Sequence, residues 1–212
     1  MSETERRGYE VLAGLIEATA ADGVGQYIVL PTETFTDRLV LDDPAFPIEA
    51  LFLGAGNTDG DVVLWLPRQR VLATGDLVVS PIPYGINVYP TPWRQVLEKL
   101  ETFDFAVLVP GHGEPQRDKT YLRDLQTAMD EVTSQVTTLA GEGLDLDAVR
   151  KRLSLAAQTD HFVGSDPWAR RWFARYWYAP YAGCVYREIK GLNLVQGVGG
   201  SANCTTAGSL GP

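Results

Sequence analysis

Between residues 27 and 74 the sequence repeats one local design five times. The runs YIVL (27–30), RLVL (38–41), IEALFL (48–53), DVVLWL (61–66) and RVLAT (70–74) are short and rich in β-branched and aliphatic residues. Each is bounded on at least one side by Pro, Gly, Asp or Asn, which punctuates strands. They predict successive strands of a sheet. Helical spacing flanks them: Val11, Leu12, Leu15, Ile16 and Ala20 predict a helix over Tyr9–Gly23, closed by Gly23. Pro92 opens a second helix through about Glu101, with Trp93, Val96, Leu97 and Leu100 on one face. The apolar run FAVLVP (105–110) predicts a further strand before the loop GHGEP, and helices follow over about Arg117–Ala140 and Leu146–Ala157. This order predicts an α/β (α+β) chain, a mixed sheet with helices on its outer face and more helices at the C-terminus.

The 212 residues suffice for one domain with a real core, and 45% hydrophobic with 21% charged residues is ordinary for a globular chain. The expected division is a domain over residues 1–190 and a flexible Gly/Ser-rich tail over 191–212, where periodicity is lost. A net charge of −9 argues against a nucleic-acid partner, which calls for a basic footprint. No run approaches the roughly 18 apolar residues of a membrane span, and the N-terminus MSETERRGYE is charged, so neither a membrane partner nor a leader is expected. Cys184 and Cys204 lie far apart and outside any C-x-x-C pair. They read as two free thiols in a reducing, cytoplasmic setting.

The segment DPWARRWFARYWYAPYAG spaces Trp168, Trp172 and Tyr176 four apart, and likewise Phe173, Trp177 and Tyr181. It reads either as an aromatic, arginine-bearing binding surface or as a helix packing bulky side chains on the sheet, packing being the simpler reading.

Three turns place a potential ligand near glycine at the end of an apolar run: GAGNTDGD with Asn57, ATGDLV with Asp76, and VPGHGEP with His112. Glycine allows the sharp turn that aims such a side chain inward. Each residue also has a plainer role. Asn57 suits a turn because asparagine tolerates left-handed geometry, Asp76 could cap the turn that follows it, and His112 could hydrogen-bond locally.

Together these pieces, from about Thr32 to Pro115 and more loosely to YREIKG, resemble the second half of the metallo-β-lactamase-fold hydrolases, especially their glyoxalase-II-like members. The corresponding family text runs approximately G-x-G-H-T-x-G-D, an apolar strand and Pro, then VL…GD, and later PGHG. The resemblance implies that Asp76 stands at a metal-bridging aspartate, His112 at a late metal-binding histidine and Asn57 at a histidine ligand. It implies zinc or another divalent metal as cofactor. The family's upstream H-x-H-x-D-H motif is absent, since the chain contains only His112 and His161. His161, in TDHFVG, matches no family ligand and reads as a surface or capping histidine. A catalytic zinc takes about three protein ligands and a two-metal site more. The expectation is a truncated or degenerate member: a partial αββα sandwich with an incomplete metal site, or none bound.

Two functions follow. One is a metal-dependent hydrolase of ester, thioester or related bonds in a small-molecule substrate, its missing ligands supplied from elsewhere. The other is a non-catalytic interaction protein. Its exposed sheet face, bearing EALFL and VVLWL, would be covered by self-association or a partner, or its aromatic C-terminal helix would serve instead. The loop SPIPYGINVYPTP, with Tyr84, Asn87 and Tyr89, names no substrate class.

Overall fold

The computed structural model describes residues 33–86, 88–192 and Cys204. The expected helix Tyr9–Gly23, the strand at 27–30, Asn87 and most of the expected tail lie outside the described residues. From Thr36 on, the described residues belong to one compact unit.

Five strands form one mixed sheet in the order β1-β2-β3-β4-β5: β1 (Arg38–Leu41), β2 (Ile48–Leu51), β3 (Val63–Leu66), β4 (Val71–Val79) and β5 (Val107–His112). The first four pair antiparallel through short connections, whereas β5 lies parallel to β4. A parallel partner requires a crossover, and α1 (Pro90–Thr102) provides it. Its first turn holds Pro90 and Pro92, where the missing N–H groups cost nothing. Its buried stripe is the one expected, Trp93, Val96, Leu97 and Leu100.

Alternation along the strands sets the two sheet faces. Val63, Leu72 and Leu108 are fully buried beneath α1, α2 (Thr120–Gly141) and the C-terminal helices, in one core with Trp93, Leu125, Met129 and Trp177. On the opposite face, Leu64 and Val109 lie in register on either side of Ala73, and each is 38% exposed. In α2 the residues Leu122, Leu125, Met129, Val132, Val136 and Leu139 recur at helical spacing and are buried.

The expected helix Leu146–Ala157 is instead two, α3 (Leu146–Arg152) and α4 (Ala156–Val163). Tertiary hydrogen bonds compete with the helix between them. Gln135 on α2 accepts from Ser154 N at 2.9 Å and donates to Ser154 O at 3.0 Å, holding that peptide out of helical geometry while Leu155 is buried. Asp145 caps α3 by accepting from Ala148 N at 2.8 Å. The aromatic segment forms α5 (Pro167–Trp172), a π-helical turn (Phe173–Tyr178) and α6 (Ala179–Ile189).

The cysteines correct the sequence reading: Cys184 and Cys204 are joined by a disulfide and neither is a free thiol. Spacing gave no hint, because the pairing depends on where Cys204 packs against α6. Arg150 on α3 donates to Cys204 O at 2.9 Å and to Ala179 O at 3.2 Å. A side chain at Gly183 would collide with Cys204 O. No helix among the described residues is long and apolar enough to cross a membrane.

Candidate functional site

Asp76 and His112 were expected on loops after strands, but the structure places Asp76 within β4 and His112 as the last residue of β5. The difference lies in a bulge. Gly75 pairs with Pro110 and Val79 with His112, so Asp76, Leu77 and Val78 of β4 span the stretch that β5 crosses with Gly111 alone. Gly75 adopts φ +53°, a left-handed geometry that glycine takes without penalty, and the strand resumes beyond it. Bulges re-aim side chains at strand ends. Here Leu77 and Val78 enter the core while Asp76 remains partly exposed.

The two side chains meet. His112 Nε2 lies 3.5 Å from Asp76 Oδ1, with side-chain exposures of 72% and 43%. Gly111 makes this approach possible, because a Cβ there would strike Asp76 Oδ1 and stand 2.7 Å from Gly75 C and 2.8 Å from Asp76 N. Gly113, at φ +94°, is confined in the same way against Ser80 O and Oγ. Ser80 N in turn donates to His112 O at 3.1 Å. The glycines flanking His112 therefore do more than turn the chain, since they let β5 close on β4. Sequence reasoning read them only as turn residues.

Asn57 lies in the β2–β3 connection and is 8% exposed. The turn is held by Asp61, which accepts from Thr58 N at 2.9 Å and from Thr58 Oγ1 at 2.8 Å. Burial pushes the Asp61 carboxyl above its ordinary value, against the lowering effect of these bonds. Gly56 seats the turn against the core. A Cβ on it would collide with Leu77, the residue after Asp76, and would come within 3.0 Å of Trp93 Cδ1. The Trp93 indole donates to Leu77 O at 3.1 Å, so the Asn57 turn and the Asp76 bulge share a wall. Tyr84 stacks on Tyr176, and burial, then the charges of Tyr176 and Asp76, push its phenol above the ordinary value.

Zinc bonds of about 2.0–2.2 Å put two neighbouring ligands of a tetrahedral ion about 3.4 Å apart. The separation of Asp76 and His112 matches two corners of such a site. Among the described residues no three His, Cys, Asp or Glu side chains group to hold a metal. The second histidine, His161 on α4, pairs with Asp124 on α2 at 2.8 Å, and both cysteines are in the disulfide. Among the described residues Asp76 and His112 thus bring two donors together, where a catalytic zinc takes about three protein ligands. The pair itself presents two donors to a cation, one carboxylate oxygen and one imidazole nitrogen.

Residues 3–112 match the family model of the metallo-beta-lactamase superfamily. A linear primary-alkylsulfatase of a Pseudomonas strain is 26% identical over 184 residues, 82% of this chain and 33% of that protein. A type 2 metallo-beta-lactamase of Bacteroides fragilis is 28% identical over 52% of this chain and 46% of its own length. Among solved structures, a stereoselective inverting sec-alkylsulfatase from Pseudomonas sp. has a TM-score of 0.61 at 18% identity, over 79% of this chain and 28% of that one. That likeness concerns the fold alone. The chain thus spans a third of the alkylsulfatase and under half of the beta-lactamase that it matches.

Proposed function

Because the chain belongs to the metallo-beta-lactamase superfamily, we propose that it carries part of a metal-dependent hydrolase site and has little or no hydrolase activity by itself. The observation that supports this reading is the Asp76–His112 pair: two potential ligands held 3.5 Å apart by a bulge and a glycine, with no third beside them among the described residues. Asp76 and His112 would each offer a donor to zinc or another divalent ion. Asn57, at the family's histidine position, offers at best an amide oxygen, which zinc favours far less than imidazole nitrogen. In an assembly that supplied the remaining ligands, the metal would activate water for attack on an ester, thioester or related bond. The alkylsulfatase match covers 82% of the chain, so a sulfate ester is the first small-molecule substrate to assay. The disulfide favours an oxidising compartment over the cytoplasm expected from free thiols.

The test is metal analysis after dialysis, together with turnover of an alkyl sulfate and a simple ester. The proposal expects less than one tightly held zinc per chain, weak zinc uptake that H112A abolishes, and hydrolysis near background. A full equivalent of retained zinc with metal-dependent turnover would overturn it.

A second reading is favoured by Leu64 and Val109, exposed on the sheet face away from the helices. There the chain would act as an interaction protein, covered by a second copy or a partner. A monomer at all concentrations in light scattering, with no uptake of a dye for apolar surface, would count against it.

A further inference from the structure

The C-terminal segment divides its aromatic side chains between two environments. Phe173, Trp177 and Tyr181 are buried in the core, where Trp177 stacks on Tyr181 at 4.7 Å and meets Trp93 edge-on at 5.9 Å. These three satisfy the packing reading. The other stripe does not enter the core: Trp168 is 62% exposed and Tyr176 37%. It forms a continuous row of rings. Trp168 meets Trp172 edge-on at 5.6 Å and 62°, Trp172 stacks on Tyr176 at 5.0 Å and 22°, and Tyr176 stacks on Tyr84 at 6.3 Å and 29°. Tyr84 ends the row. The π-helical turn Phe173–Tyr178 lies where the two stripes separate, and such turns recur at functional sites.

Charge selects the occupant. The Arg175 guanidinium sits 5.4 Å over the Trp172 ring and is exposed on a chain whose net charge is −9. The nearest acid in sequence, Asp166, is engaged as the cap of α5 through Trp168 N at 2.9 Å. What remains is an open indole face, a second ring at an angle to it, and a cation fixed on that second ring. Packing leaves such an exposed indole unexplained, whereas a flat ring with a negative substituent satisfies all three features.

We infer that Trp168, Trp172 and Arg175 form a binding site for a flat aromatic anion, an aryl sulfonate or aryl carboxylate, with its ring against Trp168 and its charge toward Arg175. That this site serves the Asp76–His112 pair rests on the function proposed above; the binding does not. Equilibrium dialysis of the full chain with 2-naphthalenesulfonate tests it, with neutral 2-naphthol as control. Saturable binding is expected, tighter for the sulfonate. W168A should weaken it roughly tenfold, about one stacking contact, and W168F should retain most of it. R175Q should bring the sulfonate down to the level of the naphthol. Trp168 is exposed, so W168A should melt with the parent, and a melt confirms that the loss is local. Absence of saturable binding, or parental affinity for the sulfonate in both W168A and R175Q, would overturn the inference. Zinc uptake, read separately through H112A, reports on the metal-site proposal and not on this one.

Discussion

Replacing Gly111 by alanine isolates the close approach that brings Asp76 and His112 together. Gly111 is not among the residues with positive φ, so alanine meets no backbone penalty and the whole effect comes from one added Cβ. That atom would lie 2.7 Å from Gly75 C and 2.8 Å from Asp76 N, and closer still to Asp76 Oδ1. Carbon contacts settle near about 3.5–4.0 Å, so β4 and β5 must part locally by about 0.8 Å, or Asp76 must turn away. The backbone atoms belong to a paired strand and cannot swing aside as a flexible side chain would. Overpacking of this kind costs about 1–3 kcal/mol. For a chain of this size that is a fall in Tm of roughly 2–4 °C per kcal/mol. Calorimetry reads the stability. The local effect is read by the imidazole NMR signal of His112, assignable because the chain has only two histidines and H161N removes the other. The expected result is a lowered Tm and a shifted His112 signal, with His161 unmoved beside Asp124. A G111A variant with the parental Tm and an unmoved His112 signal would refute the claim that this glycine seats the pair.

Trp93 is fully buried, and its indole donates to Leu77 O beside the bulge. W93A should cost about 3–5 kcal/mol by chemical denaturation, and a loss under 1 kcal/mol would contradict its place in the core. The Cys184–Cys204 bond closes a separation of 20 residues, for which loop entropy gives roughly 3 kcal/mol. C184A or reduction should lower Tm accordingly, and mass spectrometry of the unreduced chain should find no free thiol. Arg123, by its hydrogen bond, holds the Glu101 carboxyl below its ordinary value of 4.5. This contribution is present above pH 4.5 and lost as pH falls through the folded value. E101Q should therefore be less stable than the parent by under about 1 kcal/mol at neutral pH, the difference closing in acid. A constant difference would disprove the pairing.

By itself the sequence determined the local elements. Short β-branched and aliphatic runs between turn residues marked β1 to β4 to within a few residues at their starts, and helical spacing marked α1 with its buried face and α2 by its extent, because one side of each element must leave water wherever it packs. It also carried the family likeness, in glycine turns whose spacing the backbone geometry demands, and a histidine count that alone rules out the H-x-H-x-D-H motif. Tertiary structure decided the rest. Gln135 ended a helix that the Leu146–Ala157 pattern would have continued, since a hydrogen bond from another element outweighed local preference. The bulge opposite Gly111 carried β4 through Asp76, and strand pairing, which sequence spacing does not encode, set His112 beside it. The disulfide joined two cysteines whose separation suggested nothing. Only the packed helices showed that the Phe173 stripe faces the core while the Trp168 stripe faces outward to Tyr84, because a repeat of four residues gives two adjacent stripes the same signature and the neighbouring elements choose between them.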